Sequence, residues 1–477
     1  MLNFVRTGSM LSGVSSFIAC CFIISGNYNE SYLYTSIYPL VFLFVFKIIL
    51  ILNIAKKFPV SIYSFVVLSW IRFVLMPPLL LWSSKPELTY LNPQHNSIEF
   101  ATLLPIYEIV FVMIFILFVS KVFCPVFYLN DKVKTVEGSS ILYVAFIVLA
   151  LLIFFTYPAS RELVNFVYIR VGSSGERAGD VTGTVDILIR QIFIVALSLL
   201  VVISAKFACK YGDYNKWRFL LVVFFAILTI LFIVGERRTA QIYSCFSAVA
   251  ILFYLYPAHK KKILILLLSP AFVVIISMSV YKFFGAFLYD SYSDAIGQSS
   301  FINQLPSLLQ IYFFGPQNIA LSMDFIGQDN SSVIDFILDL LRSIFGVSFL
   351  LKDYVELTSI RFNEYIYGHG VKTGQVLSSL SYGVLYFTII FSPIVTCLNL
   401  TISLSLEWLM KNCSSIEFTY LFAMLLIRVS SNIYGPTPAV ISYVSMSFII
   451  FGLVFGFSIV FNKALLDNEK NISPFNR

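Results

Sequence analysis

Apolar residues in this chain neither alternate nor form narrow stripes. They gather in runs of about 20, parted by short polar segments, and an α-helix of that length spans the roughly 30 Å hydrocarbon core of a bilayer. Twelve such runs are legible, near 10–26, 33–53, 60–82, 100–120, 139–157, 187–208, 217–234, 239–257, 263–284, 376–400, 416–432 and 438–461. The pattern predicts an all-α, polytopic membrane helical bundle, with residues 1–477 as a single integral membrane domain. One connection stands apart in length, residues 285–375 between the ninth and tenth runs, and a second sizeable one covers 158–186.

Composition sharpens this reading. Hydrophobic residues make up 59% of the chain and charged residues 12%, against about 45–50% and about 25% in soluble domains. Mean hydropathy is +0.88. A soluble globular enzyme, a disordered chain and a nucleic-acid binder are excluded. The seven cysteines lie in apolar runs or on the side assigned below to the cytosol, so no disulfide framework is expected. The first run lacks a strong cleavage site and reads as the first span.

The net charge of +7 matters through its distribution. With both termini inside, the short cytoplasmic segments, including Lys260–Lys262, carry 14 Lys and 3 Arg, and the much longer external loops 3 Lys and 8 Arg. Only this orientation satisfies the positive-inside rule, and it places 158–186 and 285–375 outside. Lysine serves as an orientation anchor, whereas arginine offers a rigid fork suited to phosphate. The arginine-rich outer face is therefore a candidate phosphate site; ordinary loop chemistry is the plainer alternative.

Within the long loop, Ile334, Ile337, Leu338 and Leu341 follow helical spacing, while Asp335, Asp339 and Arg342 share another face. That fits a helix lying on the membrane surface, or one packed on the outer end of the bundle.

The chain shows no metal motif: His95, His259 and His369 are scattered, and HExxH and Asp-x-Asp are missing. The 368–374 run lacks Walker spacing. Arg72 and Arg428 lie within spans, where an arginine costs roughly 2.5–3.5 kcal/mol to insert and usually faces a partner in the interior. Arg237 and Arg238 follow Glu236 in an almost loopless turn, a compact anion clamp. Arg170 and Arg177 flank glycines in a loop whose backbone N–H groups can cradle phosphate. The 363–375 run gathers Glu364, Tyr365, His369 and Lys372 among glycines, and either Glu364 or His369 can serve as a general base.

The twelve-run layout, the Arg72 span followed by Pro77 and Pro78, the Gly235–Arg238 turn, the late external loop and the glycine-rich 363–375 run together resemble the O-antigen and repeat-unit polysaccharide polymerases, the Wzy family. Related ligases share this layout. The resemblance implies a multi-pass glycosyltransferase of the bacterial inner membrane with its active site on the periplasmic side. Its donor would be a glycan on undecaprenyl diphosphate, its acceptor the terminal sugar of another lipid-linked unit, with a chain-length regulator as a further partner and no cofactor, metal or nucleic acid.

Arg72, Arg170, Arg177, Arg237, Arg238 and Arg428 would then line one cavity and hold the diphosphate. His369 or Glu364 would take the acceptor proton, and Tyr365, Lys372 and Tyr434 would contact the glycan. The rival readings are a lipid-linked oligosaccharide flippase, expected to have two similar six-span halves and short loops, and another membrane glycan ligase.

Overall fold

The computed structural model describes residues 2–26, 28–83, 93–122, 134–169, 184–209, 215–234, 239–284, 286, 289, 291–298, 301–326, 332–370 and 374–472. Of the described residues, 83% are helical, and the one sheet among them is a two-stranded ribbon. Among the described residues, seven helices are long and apolar enough to cross a membrane: Glu30–Ile49, Pro59–Trp82, Asn96–Val122, Val185–Cys209, Pro257–Tyr281, Ile394–Asn412 and Thr437–Leu465. Met10–Ile24, Ser140–Thr156, Gln241–Leu255 and Ser379–Phe391 are apolar but shorter. The protein is thus an all-α membrane bundle.

Contacts divide the chain into two compact units, each drawn from three stretches of sequence. The first comprises Met1–Tyr128, Ser300–Glu407 and Val429–Ser445; the second comprises Leu129–Ser299, Trp408–Arg428 and Met446–Arg477.

In the first unit, the Pro59–Trp82 helix is held at its start and loosened at its middle. Pro59 opens it, leaving the N–H groups of Val60 and Ser61 without helical acceptors. Buried Glu407 takes both, at 3.2 and 2.9 Å, and accepts the Ser61 hydroxyl at 2.9 Å. A carboxylate suits the positive end of the helix dipole. Further along, Pro77 and Pro78 bring no N–H to the carbonyls of Phe73 and Val74. The helix widens to a π-turn over Ile71–Leu75, with Met76 N–H reaching Ile71. Ser15 Oγ donates to the Val74 carbonyl at 2.5 Å. Arg72 sits in that π-turn.

The expected span at 376–400 is instead a helical hairpin. Ser379–Phe391 breaks at Thr388 (φ 65°, ψ 169°), and the chain reverses into Ile394–Asn412. Ser379 Oγ lies 2.7 Å from Thr396 Oγ1. Four residues further in on each arm, a Cβ at Gly383 would fall 1.9 Å from the Ser392 carbonyl oxygen. These two pairs fix the arms as antiparallel. From residue 379 to the break the first arm rises only about 13 Å, too little to span, whereas the second arm can cross. Ile389, Ile390 and Phe391 are exposed at the tip. There the Tyr107 hydroxyl donates to the Ile390 carbonyl at 2.6 Å.

The long 285–375 connection also contributes core. In Pro316–Ile326, the residues from Pro316 to Ser322 are all buried. Ile319 and Ala320 pack with Met76, Leu80, Ala101 and Leu380. This segment is framework for the first unit, as well as a connection.

In the second unit, the run expected at 217–234 ends as helix at Leu231. Phe232–Val234 is a strand pairing antiparallel with Val164–Phe166, Val164 opposite Val234. Glu417 is buried and accepts from Gly138 N–H at 2.8 Å, Tyr143 hydroxyl at 3.1 Å and Ser415 hydroxyl at 2.6 Å.

The hairpin register gives a direct test. Because the atom facing Gly383 is backbone, it cannot swing aside, so Gly383→Ala should destabilise the protein by about 3 kcal/mol or more. Gly452→Ala, where nothing lies within 4 Å, should be neutral or slightly stabilising. Chemical unfolding of the two detergent-solubilised variants compares them; equal stability would refute the reversal.

Candidate functional site

The polar centre of the first unit is a closed ring of contacts around Arg72. Arg72 Nη1 donates to Glu108 Oε2 at 2.6 Å, and the two side chains are 1% and 0% exposed. Thr396 Oγ1 donates to Glu108 Oε1 at 2.5 Å and also meets Ser379 Oγ. Ser379 N–H donates to the Tyr434 carbonyl at 2.8 Å. The Tyr434 ring lies under the Arg72 guanidinium, 4.8 Å from its centroid to Cζ, which closes the ring. The Tyr434 hydroxyl is 2.7 Å from Ser69 Oγ.

Sequence explains each placement. The π-turn turns Arg72 inward, where Glu108 of the His95–Val122 helix meets it. The 431–436 segment that carries Tyr434 is clasped by buried Asn399, whose amide donates to the carbonyls of Ile433 at 3.0 Å and Gly435 at 2.9 Å. Thr437 Oγ1 donates back to Asn399 Oδ1 at 2.8 Å. Arg72 Nε and Nη2 are buried and make no hydrogen bond among the described residues. The guanidinium therefore keeps two donors beyond its ion pair.

His369 and Glu364 do come together, but elsewhere on the first unit. Thr358–Tyr367 is a helix that ends at Gly368 (φ 94°). His369 follows between that glycine and Gly370 (φ 91°), fully exposed, with Nδ1 3.7 Å from Glu364 Oε2. The gap exceeds a hydrogen bond. Tyr365 is on the same helix, packed on the Phe325 ring at 5.4 Å. Asn363 anchors the far side of the turn, accepting Gln375 N–H at 2.7 Å and donating to Gln375 O at 3.0 Å. Gln375 in turn donates to buried Asn318.

Beside the start of this helix, Asp335, Asp339, Tyr354, Glu356 and Arg361 help line a pocket of about 210 Å³. Burial raises the Asp339 carboxyl above its ordinary range, against the opposing effect of its hydrogen bonds from Thr358. Asp335 is lowered, chiefly by the Ser332 N–H.

Of the predicted arginines, Arg428 belongs to the second unit and sits 5.3 Å over the Tyr243 ring. Arg170, Arg177, Arg237 and Arg238, with Lys372, lie outside the described residues. Sequence reading placed Arg72 among the diphosphate residues and Tyr434 among the glycan residues, and the two side chains touch.

Sequence reading missed Glu108. Its signal was present: it is the one acidic residue within the 100–120 run, and an intramembrane carboxylate is the natural partner for an intramembrane arginine.

Removing one member of a buried pair strands a charge, so Arg72→Ala and Glu108→Ala should each cost about 3–5 kcal/mol. The double replacement Arg72→Met/Glu108→Leu should cost less than either single change. Unfolding of all three in detergent measures the coupling, and strictly additive losses would show that the two residues do not act as a pair.

Comparison with known proteins finds no matching family model, no matching curated protein and no matching solved structure.

Proposed function

We propose that this protein is a membrane glycosyltransferase that joins undecaprenyl-diphosphate-linked repeat units into O-antigen or a similar surface polysaccharide on the periplasmic face of a bacterial inner membrane. The observation that carries this reading is the Arg72–Glu108–Thr396–Ser379–Tyr434 ring inside a bundle of membrane helices. Buried intramembrane charge is expensive and is usually retained for work on a polar substrate. The residue pattern that resembles the polymerases adds to it: Arg72 before the proline pair, the arginine turn at 237–238 and the glycine-rich 363–375 run. The division of the chain into two sequence-interleaved units differs from the two consecutive halves of a flippase.

In this reaction an acceptor hydroxyl attacks the anomeric carbon of the donor sugar. The hydroxyl proton passes to His369 or Glu364. The bond from the anomeric carbon to the diphosphate oxygen breaks, and undecaprenyl diphosphate leaves as an anion. Arginines at the outer face, with Arg237 and Arg238 foremost, stabilise the charge that develops there. Arg170, Arg177 and Arg428 complete that set, and Tyr365 and Lys372 contact the glycan. Arg72 is engaged by Glu108 as found; in this reading it fixes Tyr434 and the hairpin, and its two remaining donors are assigned to the diphosphate.

A strain lacking the protein should make single surface repeat units and no long polymer; loss of all surface repeat units would point to a flippase instead. In a complemented strain His369→Ala should cut polymer by roughly 10²–10⁴-fold, the usual cost of losing a general base. Wild-type polymer from normally expressed His369→Ala would move the base role to Glu364. Arg237→Ala and Arg238→Ala should each abolish long polymer, with lysine rescuing only in part because the fork is lost.

A further inference from the structure

The helix Val333–Ser343 is built inside out. Two of its polar residues face the protein: Asp339 and Ser343 are buried, and Asp339 accepts the Thr358 N–H at the start of the Thr358–Tyr367 helix at 3.2 Å. Asp335 folds back onto the helix's own N-terminus, accepting from Ser332 N–H and hydroxyl at 2.8 Å. Phe336 packs inward on Tyr386 at 5.5 Å and Phe387 at 5.1 Å, the last turn of the hairpin's first arm before its break. The face left outside is apolar: Ile334 is 67% exposed, Ile337 50% and Leu341 41%, spaced i, i+3 and i+7. Phe349 and Leu350, on the adjoining short helix Val347–Leu351, extend it at 55% and 74%.

In water such a helix would turn over, since its apolar stripe is the side that gains by burial. At 11 residues it rises only about 16 Å and cannot cross a bilayer. The stripe carries no charge, while Lys352 and Tyr354 stand exposed just past its end. A lysine and a tyrosine at a rim are what headgroup depth accommodates. The arm on which the helix packs ends in the exposed Ile389–Phe391 tip, so one apolar surface continues into the other's neighbourhood. We infer that the Val333–Leu351 segment lies in the bilayer interface, its Ile334, Ile337, Leu341 and Leu350 side chains seated at the boundary between headgroups and acyl chains. The occupant of this face is lipid. The inference rests on the fold alone and is independent of the reaction proposed above.

Depth-dependent fluorescence quenching tests it. Ile337→Cys, Leu350→Cys and the control Asp353→Cys are labelled with an environment-sensitive fluorophore in the full-length protein. Each is reconstituted into phosphatidylethanolamine–phosphatidylglycerol vesicles, and the signal of equally labelled wild type is subtracted for the native cysteines. Lipids brominated near the top of the acyl chain should quench the probes at 337 and 350 at least about twofold more than the probe at 353, and more than lipids brominated near the chain end, as expected for a helix about 5–10 Å deep. Two independent positions guard against one misfolded variant. Equal quenching at 337, 350 and 353 overturns the inference. Strong aqueous iodide quenching at 337 and 350 then identifies water as the medium, and energy transfer between labelled copies identifies a second copy of the chain.

Discussion

A guanidinium that cannot reach water must be neutralised where it stands, and this requirement organises the first unit. Arg72 gains a carboxylate from Glu108, but a carboxylate buried beside one cation still has lone pairs to satisfy. Thr396 takes one, and Thr396 is positioned only because the chain reverses at 388 and lays the second arm of the hairpin beside the first. Ser379, on the opposing arm, then holds both Thr396 and the Tyr434 backbone. The ring of contacts thus ties four distant stretches of sequence to one charge. A hydrophobic pair in place of the ions would hold these helices as well; what the ions add is specificity of register, because the hairpin cannot slip by one residue without stranding Glu108.

The same economy recurs at helix starts. Glu407 satisfies Val60 and Ser61, Glu417 satisfies Gly138, and Asp339 satisfies Thr358. Each is a buried carboxylate spent on backbone N–H groups in, or just before, the first turn of a helix, where no intrahelical acceptor reaches. In a chain with few charges, these acids are placed where the backbone offers compensating positive ends, which lowers the penalty of keeping them from water.

The apolar runs made the helices legible because length and hydropathy report directly on the cost of exposing a peptide backbone to lipid. They could not report direction. Nothing in the mean hydropathy of 376–400 distinguishes one crossing from two antiparallel arms, although Ser392-Pro393 inside that run carried a weak signal, since proline commonly stands at a helix start. Likewise, the proline pair after Arg72 is plain in the sequence, but not that the backbone would widen to a π-turn and aim the guanidinium at Glu108. The partner itself lies on another helix 36 residues away, and sequence spacing carries no information about which of several helices will be adjacent. His369 and Glu364 were legible as neighbours for the opposite reason: one turn of helix and a glycine cap are local chemistry.

The hairpin tip and the inverted helix answer one question differently. Where the chain reverses at Thr388, backbone groups leave the helical ladder in a place surrounded by apolar side chains, and Tyr107 reaches across to satisfy the Ile390 carbonyl. Where the chain instead needs a polar group for capping, as at Asp339, the helix turns that group inward and shows its apolar side to the surroundings. In water the second arrangement would be unfavourable, and the first would have needed no help from Tyr107. Both follow if the surrounding medium, like the protein interior, offers no hydrogen bonds. The bilayer then acts as a packing partner, taking the apolar side chains so that scarce polar groups inside the fold can be committed to backbone N–H groups and to Arg72.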